Sequence, residues 1–117
     1  FALFLPENEI HEIGLLYLNY EINLRGYKSI YLGQTMPIEN LVDLLKYYDN
    51  VHFISYFTVS PTKDDLSSYF SQFSETLGIS STSQLWVLGH QIRHLAHEEL
   101  PEHIRTFNSI EQLMECI

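Results

Sequence analysis

Between Leu5 and Gly14 the chain reads LPENEIHEIG, so that Glu7, Glu9, His11 and Glu12 crowd into one short stretch behind the apolar run FALFL. A plain connecting turn needs no histidine among carboxylates. Neutral imidazole is a metal ligand through one ring nitrogen, while the other nitrogen carries a proton. A carboxylate two residues away is well placed to accept that proton, which fixes the tautomer and makes the ligand nitrogen more basic. His11 is the candidate ligand and Glu9 its candidate partner. Gly14 falls in the first turn of the helix that follows, where a missing side chain lets a bulky ligand approach the backbone. The plainer alternative is an exposed loop histidine, with Glu9 and Glu12 only favouring the positive end of that helix.

The surrounding elements must hold this loop in place. Phe1 to Leu5 is a continuous apolar run, which suits a strand buried on both faces of a parallel sheet. From Glu12 to Leu24 apolar residues recur at Ile13, Leu16, Tyr17, Tyr20 and Leu24, a helical spacing expected to form the buried face, and Gly26 stops the helix. KSIYLG reads as a second strand. Pro37 opens another helix, with Thr35 or Met36 near its cap and Ile38, Leu41, Val42 and Leu45 on one face.

VHFISYF is a third strand, and SPTKDDL a helix start with Ser60 as cap, Pro61 in first position and Asp64 and Asp65 favoured by the helix dipole. That helix is expected to reach about Leu77 and to end at Gly78. QLWVLG is a fourth strand, followed by a helix from about Gln91 to Glu99. HIRTF makes a fifth strand, and SIEQLMECI a closing helix capped by Ser109. Such alternation predicts an α/β domain over residues 1–117: a flavodoxin-like (Rossmann-like), doubly wound, five-stranded parallel sheet with helices on both faces. Ligands of such sheets lie beyond the carboxyl ends of the strands, near the point where strand order reverses. The loops Glu7–Gly14, Gly33–Met36, Ser55–Ser60 and Gly89–Gln91 all fall at that end.

The totals narrow the field. A chain of 117 residues with 45% apolar content supports one domain with one core. No apolar run approaches the roughly 20 residues of a membrane span. Six basic residues against fifteen acidic ones give a net charge of −9, which repels phosphate backbones, so DNA is expected as a partner only through a domain outside this fragment. The sole cysteine, Cys116, leaves no internal disulfide and no thiolate metal cluster, in keeping with a reducing, cytoplasmic setting. The chain opens at Phe1, already inside a strand-like run, and reads as an excised domain. His90, His94 and His97 cannot readily share a zinc ion, because residues seven apart on a helix are separated by about 10.5 Å along its axis. Solvated surface histidines are the simpler reading there, and Trp86 and the tyrosines read as packing.

The motif set resembles a known family. EIHEIG, from Glu9 to Gly14, resembles the D-x-H-x-x-G signature of cobalamin-binding domains, with glutamate in place of aspartate. The family's S-x-L motif follows about forty residues later, and here Ser55 stands at that distance from Gly14, with Phe57 where leucine is usual. YLGQTMP, with Gly33, matches the family's second-strand ending. Its fourth strand commonly ends in paired glycines; here Gly89 is kept and His90 replaces the second. The glutamate variant and YLGQTMP look closest to the effector domains of MerR-type light-sensing repressors.

The resemblance implies that His11 binds the cobalt of adenosylcobalamin or methylcobalamin from below and that Ser55 offers its hydroxyl to the displaced nucleotide tail. It further implies that Gly33 and Gly89 shape the cleft, with His90 filling the tail's slot, swinging outward or bonding the tail. As a repressor's sensory domain the chain would do no chemistry, and light cleaving the carbon–cobalt bond would change the assembly of a homo-oligomer. A corrinoid-carrying domain of a methyltransferase or mutase shares the motif, and a regulatory module that has lost the cofactor is the third possibility. A phospho-receiver would need an aspartate where Ser55 ends the third strand, and it is set aside.

Overall fold

A computed structural model describes residues 1–77, 83–94, 100 and 103–117. Strands β1 (Ala2–Phe4), β2 (Ile30–Gly33), β3 (His52–Tyr56), β4 (Gln84–Leu88) and β5 (Ile104–Thr106) form one sheet in the order β2-β1-β3-β4-β5. Every pairing is parallel, with Leu3 beside Ile54, Phe4 beside Ser55 and Val87 beside Thr106. The chain winds outward from β1 to β2 and then returns to place β3 on the other side, so the order reverses between β1 and β3. The expected flavodoxin-like α/β fold is the fold observed.

Successive side chains of a strand point to opposite faces, and each face builds its own core. Ala2, Phe4, Phe53, Leu85 and Val87 pack against α2 (Ile38–Leu41) and α4 (Leu66–Leu77). The rings of Phe4 and Phe73 stack there at 6.1 Å, and Phe53 meets Phe73 edge-on at 5.5 Å. Leu3, Leu5, Ile54, Trp86 and Leu88 face the other way, under α1 (Ile13–Leu24) and α5 (Ile110–Met114). Trp86 is buried as packing.

The phase of α1 corrects the expectation. Leu15, Leu18 and Ile22 are its buried residues, whereas Ile13, Leu16, Tyr17, Tyr20 and Leu24 are all exposed, Ile13 to 85%. The helix is apolar nearly all round, so periodicity offered two stripes, and the connection from β1 decides which one meets the sheet.

Other boundaries shift for identifiable reasons. The helix expected after Pro37 is split into α2 and α3 (Leu44–Tyr47). Thr62, rather than Ser60, precedes a 3-10 turn at Lys63–Asp65 that leads into α4, and the Thr62 hydroxyl donates to Asp65 at 2.9 Å. The N–H of Ser60 points instead to Glu9. The Ser109 cap is present, its hydroxyl accepting the N–H of Gln112 at 3.1 Å. After β4 the described residues form a 3-10 turn, His90–His94; the rest of the helix expected to Glu99, and the stop at Gly78, lie outside the described residues. Among the described residues no helix is long and apolar enough to cross a membrane.

Candidate functional site

The loop after β1 folds back on itself before it reaches α1. Asn8 takes a left-handed conformation, φ 70°, and the N–H of Glu9 donates to the carbonyl of Pro6 at 3.1 Å. Asparagine tolerates that conformation better than most residues. The turn drives the Glu9 side chain inward, where it is completely buried.

A buried carboxylate must be hydrogen-bonded to remain charged. One Glu9 oxygen accepts the successive backbone N–H groups of Thr58, Val59 and Ser60, at 2.9, 2.6 and 3.1 Å. The other accepts the His11 N–H at 3.0 Å and faces the His11 ring Nδ1 at 2.8 Å. Burial alone would raise the Glu9 pKa. The bonds from the Val59 N–H, the His11 ring, the His11 N–H and the Ser60 N–H override it and hold the carboxyl at about 2.

That charged partner settles the histidine. An ionised carboxylate only accepts, so Nδ1 carries a proton, and in the neutral form of the ring the lone pair sits on Nε2. The His11 side chain is 56% exposed. The loop therefore presents one oriented imidazole lone pair at the carboxyl edge of the sheet, beside the reversal of strand order. Among the described residues no three histidine, cysteine, aspartate or glutamate side chains gather closely enough to hold a metal ion.

The other residues named from sequence fall into different roles. Gly33 has φ +86°, and its carbonyl accepts the N–H of Leu5 at 2.9 Å, tying β2 to the root of the His11 loop. Ser55 is fully buried and its hydroxyl donates to the Phe4 carbonyl at 2.8 Å, across the β1–β3 seam. Phe57 is a core residue, edge-on to Tyr69 at 5.3 Å and stacked on Phe70 at 6.0 Å. Gly89 has φ +116°, and a Cβ there would collide with the Phe57 backbone. His90 is exposed and lines a cleft with Tyr56, Thr58 and Phe107.

Gly14 faces Tyr56: a Cβ at position 14 would lie 2.7 Å from the Tyr56 Cε2. Two parts of this rim escaped sequence reasoning, the three N–H donors at 58–60 and the tyrosine on Gly14. Backbone donors have no residue-type signature, and Tyr56 reads as the outer residue of a strand.

No protein-family profile matches the chain, and no curated protein matches it by sequence. Its fold is shared by solved structures. A cobalamin-binding protein from Desulfitobacterium hafniense DCB-2 superposes with TM-score 0.73 at 13% identity, over 98% of this chain and 55% of that one. The monomethylamine corrinoid protein of Methanosarcina barkeri gives TM-score 0.76 at 15% identity, over 98% and 54%. The chain thus spans about half the length of either neighbour.

Proposed function

We propose that this domain binds a corrinoid of the cobalamin class through His11 Nε2, as the sensory domain of a MerR-type transcriptional regulator. The observation that carries the binding step is the buried Glu9 carboxylate, which fixes the His11 tautomer with the lone pair outward. A corrin brings four nitrogen ligands to its cobalt and needs one more from below, which an imidazole displayed at the rim can supply. The shared fold with two corrinoid-related structures supports this reading.

The regulator role is supported by the EIHEIG and YLGQTMP phrasing. In that setting the sensed form is a corrinoid carrying an adenosyl or methyl upper ligand, as in adenosylcobalamin or methylcobalamin, the whole protein is a homo-oligomer, and DNA contact belongs to a domain outside residues 1–117. A corrinoid-carrying role in a methyl transfer system is the second reading, favoured by the likeness to the Methanosarcina barkeri protein. The residues preceding Phe1 separate the two, since a helix-turn-helix domain there supports the regulator and a catalytic barrel the carrier.

The binding step is tested by adding aquocobalamin, or its nucleotide-free analogue aquocobinamide, and recording the corrinoid absorbance. His11 taking the place of the lower base of aquocobalamin, or of a cobalt-bound water of aquocobinamide, shifts the bands with the native chain, and the bands stay unmoved with His11→Ala. Unmoved bands for both corrinoids with the native chain would leave a regulatory module that has kept the fold without the cofactor.

A further inference from the structure

The space beside His11 bears on which corrinoid it accepts. A complete cobalamin already has a base on the lower face of its cobalt, tethered to the ring by a ribose-phosphate arm. An imidazole that takes its place does not remove the arm, which must then be housed at the protein rim under the ring. A corrinoid lacking the nucleotide makes no such demand.

Three features of the rim close that space. The ring of Tyr56 lies directly on Gly14, with Cε2, Cζ and Cδ2 at 2.7, 2.9 and 3.0 Å from the position a Cβ would take. The room gained by a glycine in the first turn of α1 is thus already filled by an aromatic ring, itself packed against the core under α1. Next to it, the Ser55 hydroxyl has no exposure and is engaged by the Phe4 carbonyl, so it does not project into the gap. Beyond it, the ends of β3 and β4 are locked together: the Phe57 N–H donates to Leu88 at 2.7 Å and the Gln91 N–H to Phe57 at 3.0 Å. The cleft left between Tyr56 and His90 measures about 230 Å³. Pockets for drug-sized ligands begin at about 300 Å³, and the arm with its base has more than about twenty non-hydrogen atoms.

We infer that Tyr56 is a specificity-determining residue: it excludes the nucleotide arm, so that the domain prefers corrinoids with a bare lower face over complete cobalamin. The inference rests on His11 being a cobalt ligand, and the experiment keeps the two apart. The full chain, Tyr56→Ala and His11→Ala are each titrated with aquocobinamide and aquocobalamin, by absorbance and equilibrium dialysis. The native chain is expected to bind aquocobinamide roughly a hundredfold more tightly.

Part of that preference is intrinsic, because the tethered base competes for cobalt in water. The steric part is the drop in the ratio in Tyr56→Ala, about tenfold. Aquocobinamide affinity in Tyr56→Ala should stay within about threefold of the native value, which also reports that the variant folds. A ratio unchanged by Tyr56→Ala, or equal affinities in the native chain, would overturn the inference while leaving His11 ligation intact. If neither corrinoid binds, or His11→Ala binds both as well as the native chain, the functional reading itself fails.

Discussion

The loops after β1 and β3 share one edge of the sheet and face each other across the reversal of strand order, yet they treat their polar groups in opposite ways. After β1, a carboxylate is buried completely in order to hold an imidazole outward. At the end of β3, the hydroxyl of Ser55 is turned into the sheet and an aromatic ring covers the neighbouring glycine. A side chain is displayed for binding only when something beneath it holds it there. A short hydroxyl with a backbone carbonyl in reach is taken up by the sheet.

The sharpest way to break this contrast is at His11. His11→Ala should weaken corrinoid binding by more than about a hundredfold, since losing a mere supporting partner of a metal ligand costs about ten- to a hundredfold. Its melting temperature should fall by only a few degrees, because Glu9 gives up one bond to the ring and keeps its four backbone N–H donors. A large drop in melting temperature would mean that His11 is part of the structure rather than displayed by it.

Glu9 should behave as the reverse, a residue whose loss is felt first in stability. Its carboxyl is held at about 2 in the folded chain against the usual 4.5, so it contributes about 3 kcal/mol at neutral pH. The folded pKa is the lower one, so the contribution is complete above about pH 4.5 and is lost as pH falls toward 2. Urea unfolding between pH 7 and 3 should show that slope, and Glu9→Gln should flatten it while lowering stability at pH 7 by about 3 kcal/mol. Equal slopes in both proteins would mean that the carboxylate is not held as described.

Ser55→Ala should cost about 1 kcal/mol for the lost bond to the Phe4 carbonyl. Corrinoid affinity should change by less than about twofold, within the scatter of a remote substitution. A larger loss of affinity would show that the hydroxyl turns out to meet the ligand, and the two loops would then be alike. The smallest effect is expected on the outer face of α1, where Tyr20→Ser should move stability by no more than about 0.5 kcal/mol. On the buried face of the same helix, Leu18→Ala should cost about 2–5 kcal/mol. Similar costs at the two positions would reverse the assignment of the faces.

Much of the architecture was legible from local pattern: the five strands, the Ser109 cap and the loop that carries His11. The stripe Ile13, Leu16, Tyr17, Tyr20 and Leu24 misled because a helix with two apolar faces has no unique inward side. Ser60 misled because its cap chemistry is local, while the acceptor that claims its N–H lies far away in the chain.

Sequence by itself determined that Glu9 and His11 can meet, since a spacing of two residues in a loop keeps their side chains within reach whatever else the chain does. It also determined the winding of the sheet, through the alternation of strand and helix patterns. Only the tertiary structure decided that Glu9 would be charged and fixed, because its three other donors arrive from residues 58–60 once β3 pairs with β1. The same pairing set Ser55 beneath the Phe4 carbonyl and brought Tyr56 over Gly14. Contacts between near neighbours follow from spacing, whereas contacts between distant ones follow from strand order and register, which no short stretch of residues encodes.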